Sequence, residues 1–231
     1  MIPKTLHFVN FFQELPPYAK ANIEAWKTMM PNFDVVLHED PALLPGRWKS
    51  LFESTDSVCI KCDIARYAFV LNEGGFYLDL DMTPLQSFEY YVPYHFGSIW
   101  ATLQTDVDRM IACPDSAFFA AKRNDELLEK VLDSIQPEEG KGCLHTSACF
   151  HLSNVLKRQL GLNAIPHHLG KTENVGDTFF LPILAFGAKN YGYFRHLSPE
   201  RLASKVPTAF AHHGFAGSWS DKTYPPRKAT E

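Results

Sequence analysis

Residues 56–82, DSVCIKCDIARYAFVLNEGGFYLDLDM, constrain the fold more than any other stretch. Apolar side chains at 58, 62, 65, 69 and 70 recur at the spacing of an amphipathic helix, with Asp56 placed to cap it. Gly74-Gly75 ends that helix, since a glycine can take φ > 0 just beyond the last turn. The segment FYLDLDM then predicts a strand, which Pro84 closes. A helix delivered directly to a strand belongs to an α/β sheet with helices packed on it.

The strand raises a chemical question, because an apolar run goes on to carry Asp79 and Asp81. A buried carboxylate without a partner costs several kcal/mol, so a positive group is expected beside the pair, either a side chain or a metal. Alternate residues of a strand face one side, so the two acids are expected to point together. They would do so at the C-terminal strand edge, where open α/β sheets collect ligands. Two hard oxygen ligands suit Mg²⁺ or Mn²⁺. Asp-x-Asp alone is weak evidence, because a solvent-facing strand end satisfies it equally well. Asp63 and Arg66, three apart on one helix face, add an acceptor and a forked donor. By themselves they would make a surface ion pair worth little.

The rest of the chain agrees with an α/β layer structure. KTLHFVNFF predicts a strand, PPYAKANIEAWKTMM a helix with proline at its entry, and FDVVLHE a second strand. Further on, FGSIWATLQ and RMIACP predict strands, and NDELLEKVLDSI and TSACFHLSNVLKRQL predict amphipathic helices. TFFLPILAF and TAFAHHGF are expected as late strands. No repeat or linker interrupts the 231 residues, so one domain is expected over 1–231, with 221–231 as a loose tail. An apolar fraction of 45% fills a core and argues against disorder. A net charge of −4 removes the electrostatic case for nucleic acid or an anionic membrane. There is no apolar run of transmembrane length, and the N-terminus has no signal-peptide pattern. Five cysteines, an odd and modest count, fit a reduced protein, so a cytoplasmic location is expected, free or peripheral to a membrane.

Residues 61–81, KCDIARYAFVLNEGGFYLDLD, resemble the central block of DXD-containing glycosyltransferases. That group includes yeast-type α-mannosyltransferases, α-1,4-galactosyltransferases and bacterial capsular-polysaccharide transferases. Its pattern, Ser-Asp-x-x-Arg-Tyr followed by Gly-Gly-x-Tyr-x-Asp-x-Asp, is met at Asp63, Arg66, Tyr67, Gly74, Gly75, Tyr77, Asp79 and Asp81. IPKTLHFVN near the start and HHGFAGSW near the end resemble the family's opening and closing blocks.

The resemblance implies a GT-A (Rossmann-like) α/β fold with a mixed central sheet flanked by helices. Residues 1–85 would form a nucleotide-sugar half, and 86–220 an acceptor half with a C-terminal metal and phosphate loop. It implies a glycosyltransferase that moves a hexose from a UDP- or GDP-linked donor to a hydroxyl of a glycan, lipid-linked or protein acceptor. Retention of configuration and a Mn²⁺ or Mg²⁺ cofactor go with it, and a surface-glycan or capsule role is the first expectation. Asp79, Asp81 and His213 would hold the metal, with His212 as the runner-up histidine. Asp63, Arg66, Asp79 and Asp81 would be catalytic. Val9, Asn10, Asp63, Arg66, Tyr77, Asp79, Ser218 and Trp219 would bind the donor.

Asn10 stands where many relatives carry a base-stacking Trp, and Phe11 or Phe12 is a substitute for it. Asp108 is a weak candidate nucleophile. Two other readings compete. YLDLDMTPL also fits the Asp-x-Asp-x-Thr signature of haloacid-dehalogenase-type phosphatases, but there the motif sits on the first strand of its domain. The other is an inactive nucleotide-sugar-binding protein. Cys59-x-x-Cys62 is a weak zinc or redox motif inside a helix, where packing is the simpler role.

Overall fold

The computed structural model describes residues 1–11, 14–106, 111–137, 146–166, 170–186 and 197–214. In chain order the first half runs β1 (Thr5–Val9), α1 (Pro17–Met29), β2 (Asp34–His38), α2 (Gly46–Glu53), α3 (Val58–Glu73), β3 (Gly75–Leu78) and β4 (Met82–Pro84). The second half follows with β5 (Ser98–Asp106), β6 (Ile111–Ala121), α4 (Glu126–Asp133), α5 (Cys149–Leu160), β7 (Glu173–Val175), β8 (Thr178–Phe180), α6 (Ile183–Phe186), α7 (Pro199–Lys205) and β9 (Ala211–His213).

Among the described residues the main sheet has seven strands in the order β2-β1-β3-β6-β5-β8-β7. β1 is parallel to β2 and β3, β6 is antiparallel to both its neighbours, and β5 is parallel to β8. The β-α-β opening and the mixed central sheet are as the sequence predicts. Both faces are covered, which explains the unbroken apolar run at the start of β3. Phe76 and Leu78 face one layer with Trp26, Phe33, Phe88, Phe118 and Phe186, whereas Tyr77 faces the other with Tyr67, Phe119, Leu128 and Leu152. On the antiparallel partner, Phe118 and Phe119 divide between the two layers in the same way.

Several local expectations need correction. Ser57, not Asp56, caps α3, its hydroxyl accepting from the Ile60 N–H at 3.5 Å. TFFLPILAF is not one strand: β8 ends at Phe180, and Ile183–Phe186 turn helical just after Pro182. Cys62, Cys113 and Cys149 are free thiols, whereas Cys59 is disulfide-bonded. Cys59 and Cys62 are therefore not joined to each other, and the Cys-x-x-Cys spacing forms no redox pair. Among the described residues, no helix is long and apolar enough to cross a membrane.

Candidate active site

The two aspartates are displayed on a turn, not on the predicted continuous strand. β3 stops at Leu78, and the Met82 N–H donates to the Asp79 carbonyl at 3.0 Å, closing a turn over 79–82. The strand ends because its ladder does. Asp79 makes one last bond, its N–H to the Ala117 carbonyl at 3.0 Å, and β6 then bulges in its pairing with β5. The chain leaves to form β4, which pairs antiparallel with β9.

Helix α1 satisfies the polar backbone groups that the lost ladder exposes. Asn22 donates to the Leu80 carbonyl at 2.9 Å and accepts from the Thr83 hydroxyl at 3.0 Å. Trp26, fully buried, donates its indole N–H to the Met82 carbonyl at 2.9 Å. The acids therefore sit on a turn pinned from behind by two side chains one helical turn apart.

The β4–β9 pairing brings in the histidine. His213 lies opposite Met82 in the register, and its Nε2 is 3.3 Å from Asp81 Oδ1 and 3.8 Å from Asp79 Oδ2. The three potential ligand atoms lie within 4.8 Å of one another. Strand alternation sends His212 the other way, to the Leu197 carbonyl at 3.2 Å. Burial alone would push the His213 imidazole down, but Asp81, and with it Asp115 and Asp79, raises it to about 9. Two carboxylate oxygens and one imidazole nitrogen converging at the end of a strand fit a hard or borderline divalent cation of the Mg²⁺ or Mn²⁺ class.

A second positive group answers the question the sequence raises from the other side. Arg66 Nη1 is 3.0 Å from Asp79 Oδ1 and donates to the Ser116 carbonyl at 2.8 Å. Its Nε is 3.3 Å from Asp63 Oδ1, and the guanidinium lies over the Tyr77 ring at 4.6 Å. The Tyr77 hydroxyl donates to Asp79 Oδ1 at 2.7 Å. Asp79 is thus divided, with Oδ1 held by Arg66 and Tyr77 and Oδ2 turned toward His213.

Asp63 and Arg66 are not the surface pair their spacing alone would suggest, being only 1% and 8% exposed. Burial pushes the Asp63 carboxyl up, against Arg66 and the Ser147 hydroxyl, which donates to Asp63 Oδ2 at 2.7 Å. Two members of this network escape the sequence reading. Ser147 carried no signal, because nothing in its sequence neighbourhood marks it. Asp115 did carry one, being a lone acid in the apolar stretch IACPDSAFFAA just beyond the predicted RMIACP strand. It is fully buried, accepts from the Ala117 N–H at 2.9 Å through Oδ1, and is raised by burial to about 6 against the pull of His213. Its Oδ2 has no hydrogen-bond partner among the described residues.

The remaining candidates fall as follows. Val9 and Asn10 are buried at the end of β1, where the Asn10 N–H donates to the His38 carbonyl at 2.9 Å. Phe11 packs edge-on against Phe52 and Phe69. Phe12, Asp108, Ser218 and Trp219 lie outside the described residues. β3 is third among the strands in chain order, so the phosphatase reading, which needs its motif on the first strand, lacks its frame.

Comparison with known proteins bears on this geometry. Residues 16–97 match the family model described as glycosyltransferase sugar-binding region containing DXD motif. An initiation-specific alpha-1,6-mannosyltransferase of Schizosaccharomyces pombe is 26% identical, over 70% of this chain and 47% of that protein. The chain therefore spans about half the length of the curated relative it matches. Among solved structures, PaToxG glycosyltransferase superposes with a TM-score of 0.58 at 13% identity, covering 69% of this chain and 70% of that one. A glycosyltransferase involved in the glycosylation of the major capsid of PBCV-1 covers 93% of this chain and 94% of its own at 12% identity, with a TM-score of 0.46. Residues 16–97 thus match a DXD-type glycosyltransferase sugar-binding region, and the likeness to PaToxG glycosyltransferase is one of fold.

Proposed function

We propose that the protein is a divalent-metal-dependent glycosyltransferase that takes a hexose from a nucleotide-diphosphate donor and passes it, with retention, to a hydroxyl of a glycan, lipid-linked or protein acceptor. The observation that carries this reading is the convergence of Asp79, Asp81 and His213 beside the buried Asp63–Arg66–Tyr77 network. A divalent cation held by Asp79, Asp81 and His213 would supply charge neutralisation for the departing diphosphate. Arg66 and Tyr77 orient Asp79 from its far oxygen, so the carboxylate presents a fixed edge. Asp63, anchored by Ser147 and Arg66, offers acceptor oxygens to sugar hydroxyls. Asp115 Oδ2, an open acceptor buried in the same region, is assigned to a hydroxyl of the bound sugar. Val9, Asn10, Ser218 and Trp219 are assigned to the donor, as the resemblance implies.

The mannosyltransferase activity for which the Schizosaccharomyces pombe relative is named makes a mannose donor the first to try, with UDP- and GDP-linked hexoses in parallel. Protein stripped with EDTA is expected to lose donor hydrolysis, and Mn²⁺ to restore it. Asp81→Asn, which removes one ligand charge without changing volume, is expected to lower turnover roughly 10²-fold or more. Parental turnover in Asp81→Asn would refute the assignment. Donor binding without turnover in the unaltered protein would instead favour an inactive sugar-nucleotide binder.

A further inference from the structure

A second cluster of potential metal ligands gathers beside the Gly74–Gly75 turn that leads into β3. His7 of β1, His38 at the end of β2 and Glu73 at the end of α3 bring their ligand atoms within 4.8 Å of one another. His7 Nδ1 is 3.0 Å from His38 Nε2 and 3.9 Å from Glu73 Oε2. The other ring nitrogen of His7, Nε2, is 2.8 Å from the Gly74 carbonyl. A carbonyl only accepts, so Nε2 carries the hydrogen and the lone pair of His7 sits on Nδ1, facing His38 and Glu73. This is the outer-shell arrangement that fixes a metal-binding histidine, with the far N–H given to a backbone oxygen and the near nitrogen free to coordinate.

We propose that His7, His38 and Glu73 form a zinc site that clasps β1, β2 and the end of α3. The donor set, two imidazoles and one carboxylate, selects a borderline ion of the Zn²⁺ class, whereas Asp79 and Asp81 offer mainly hard oxygen. Two nitrogens bound to one tetrahedral ion stand about 3.3 Å apart, so the 3.0 Å contact needs to open by only a few tenths of an ångström. The ion would take the place of the proton now shared by the two rings. His38 is held in place by stacking on Phe69 at 3.6 Å between ring centres. Burial keeps both imidazoles neutral, lowering His7 and bringing His38, which also faces His7, down to about 4. Glu73, at the exposed rim and also facing Arg123, gives the ion its way in. The inference does not depend on glycosyl transfer.

The test uses metal-free protein carrying Asp79→Asn and Asp81→Asn, which removes both carboxylates of the hard site. After dialysis against micromolar Zn²⁺, bound metal is counted by atomic emission and melting is followed with and without the ion. About one zinc per chain is expected to remain, raising Tm by about 5–10 °C at a hundredfold excess over Kd. Millimolar Mg²⁺ is expected to leave Tm unchanged. Adding Glu73→Gln, at the exposed rim where the fold tolerates change, or His38→Gln is expected to abolish both responses. Failure of the starting variant to retain zinc, or equal retention in Glu73→Gln, would show a hydrogen-bonded histidine pair and no metal site.

Discussion

Asp79 shows at residue scale how the site divides its work, since one oxygen is fixed by neutral and cationic donors while the other faces His213. Tyr77→Phe removes only the 2.7 Å donor. It is expected to weaken metal affinity by about tenfold with little change in fold, as read by Mn²⁺ calorimetry. His213 makes the site pH-dependent. Its folded-state value of about 9 lies above the ordinary 6.5, so in metal-free protein its contribution to stability is complete below pH 6.5 and lost as pH rises through 9. Asp115, raised to about 6, acts in the same direction at lower pH, its contribution present below 3.8 and lost through 6. Metal binding runs the other way, because the ion competes with the His213 proton. Denaturation of metal-free protein is expected to show stability falling between pH 6.5 and 9, by an amount on the order of 3 kcal/mol. Mn²⁺ affinity is expected to rise over the same interval, and His213→Gln to flatten both slopes.

At the scale of elements, the α3–Gly74–Gly75–β3 unit was the most legible part of the chain. Helical periodicity, a glycine stop and an apolar run each have a direct physical meaning there. Gly74 and Gly75 do take positive φ, +72° and +117°. A Cβ on Gly75 would fall 2.8 Å from the Thr5 carbonyl oxygen and 2.9 Å from His7 Nε2. Gly75→Ala is therefore expected to destabilise the protein by about 2 kcal/mol or more in a urea titration. What the pattern could not convey was the end of β3. Alternation in FYLDLDM is compatible with a strand through Met82, and only the distant partners β6 and β9 decide where the ladder stops. The pinning by Asn22 and Trp26 is likewise a tertiary fact, invisible in the helix that carries it. Trp26→Phe keeps most of the ring volume but leaves the Met82 carbonyl unpaired. It is expected to cost about 1–3 kcal/mol and to weaken Mn²⁺ binding through a loosened turn. The burial of Asp63 and Arg66 was hidden for the same reason, since helix spacing reports who neighbours whom but not what covers them.

For the whole molecule, a sheet covered on both faces places its chemistry at the strand ends, and this chain uses both ends of β3. At the C-terminal end an acid-rich turn meets a histidine from β9, some 130 residues further along the chain. At the N-terminal end two histidines and a glutamate meet around the glycine turn. The donor sets differ in hardness, so under the two proposals Mn²⁺ or Mg²⁺ would go to the first and Zn²⁺ to the second. Of the two, the acid-rich end carries the functional reading. Anomalous diffraction from a crystal soaked with Mn²⁺ and a nucleoside diphosphate examines that end most directly. The account predicts a manganese peak about 2.2 Å from both the Asp81 carboxylate and His213 Nε2, with Asp79 alongside. A manganese ion bound elsewhere, or a His213 turned away from both acids in the presence of diphosphate, would contradict it.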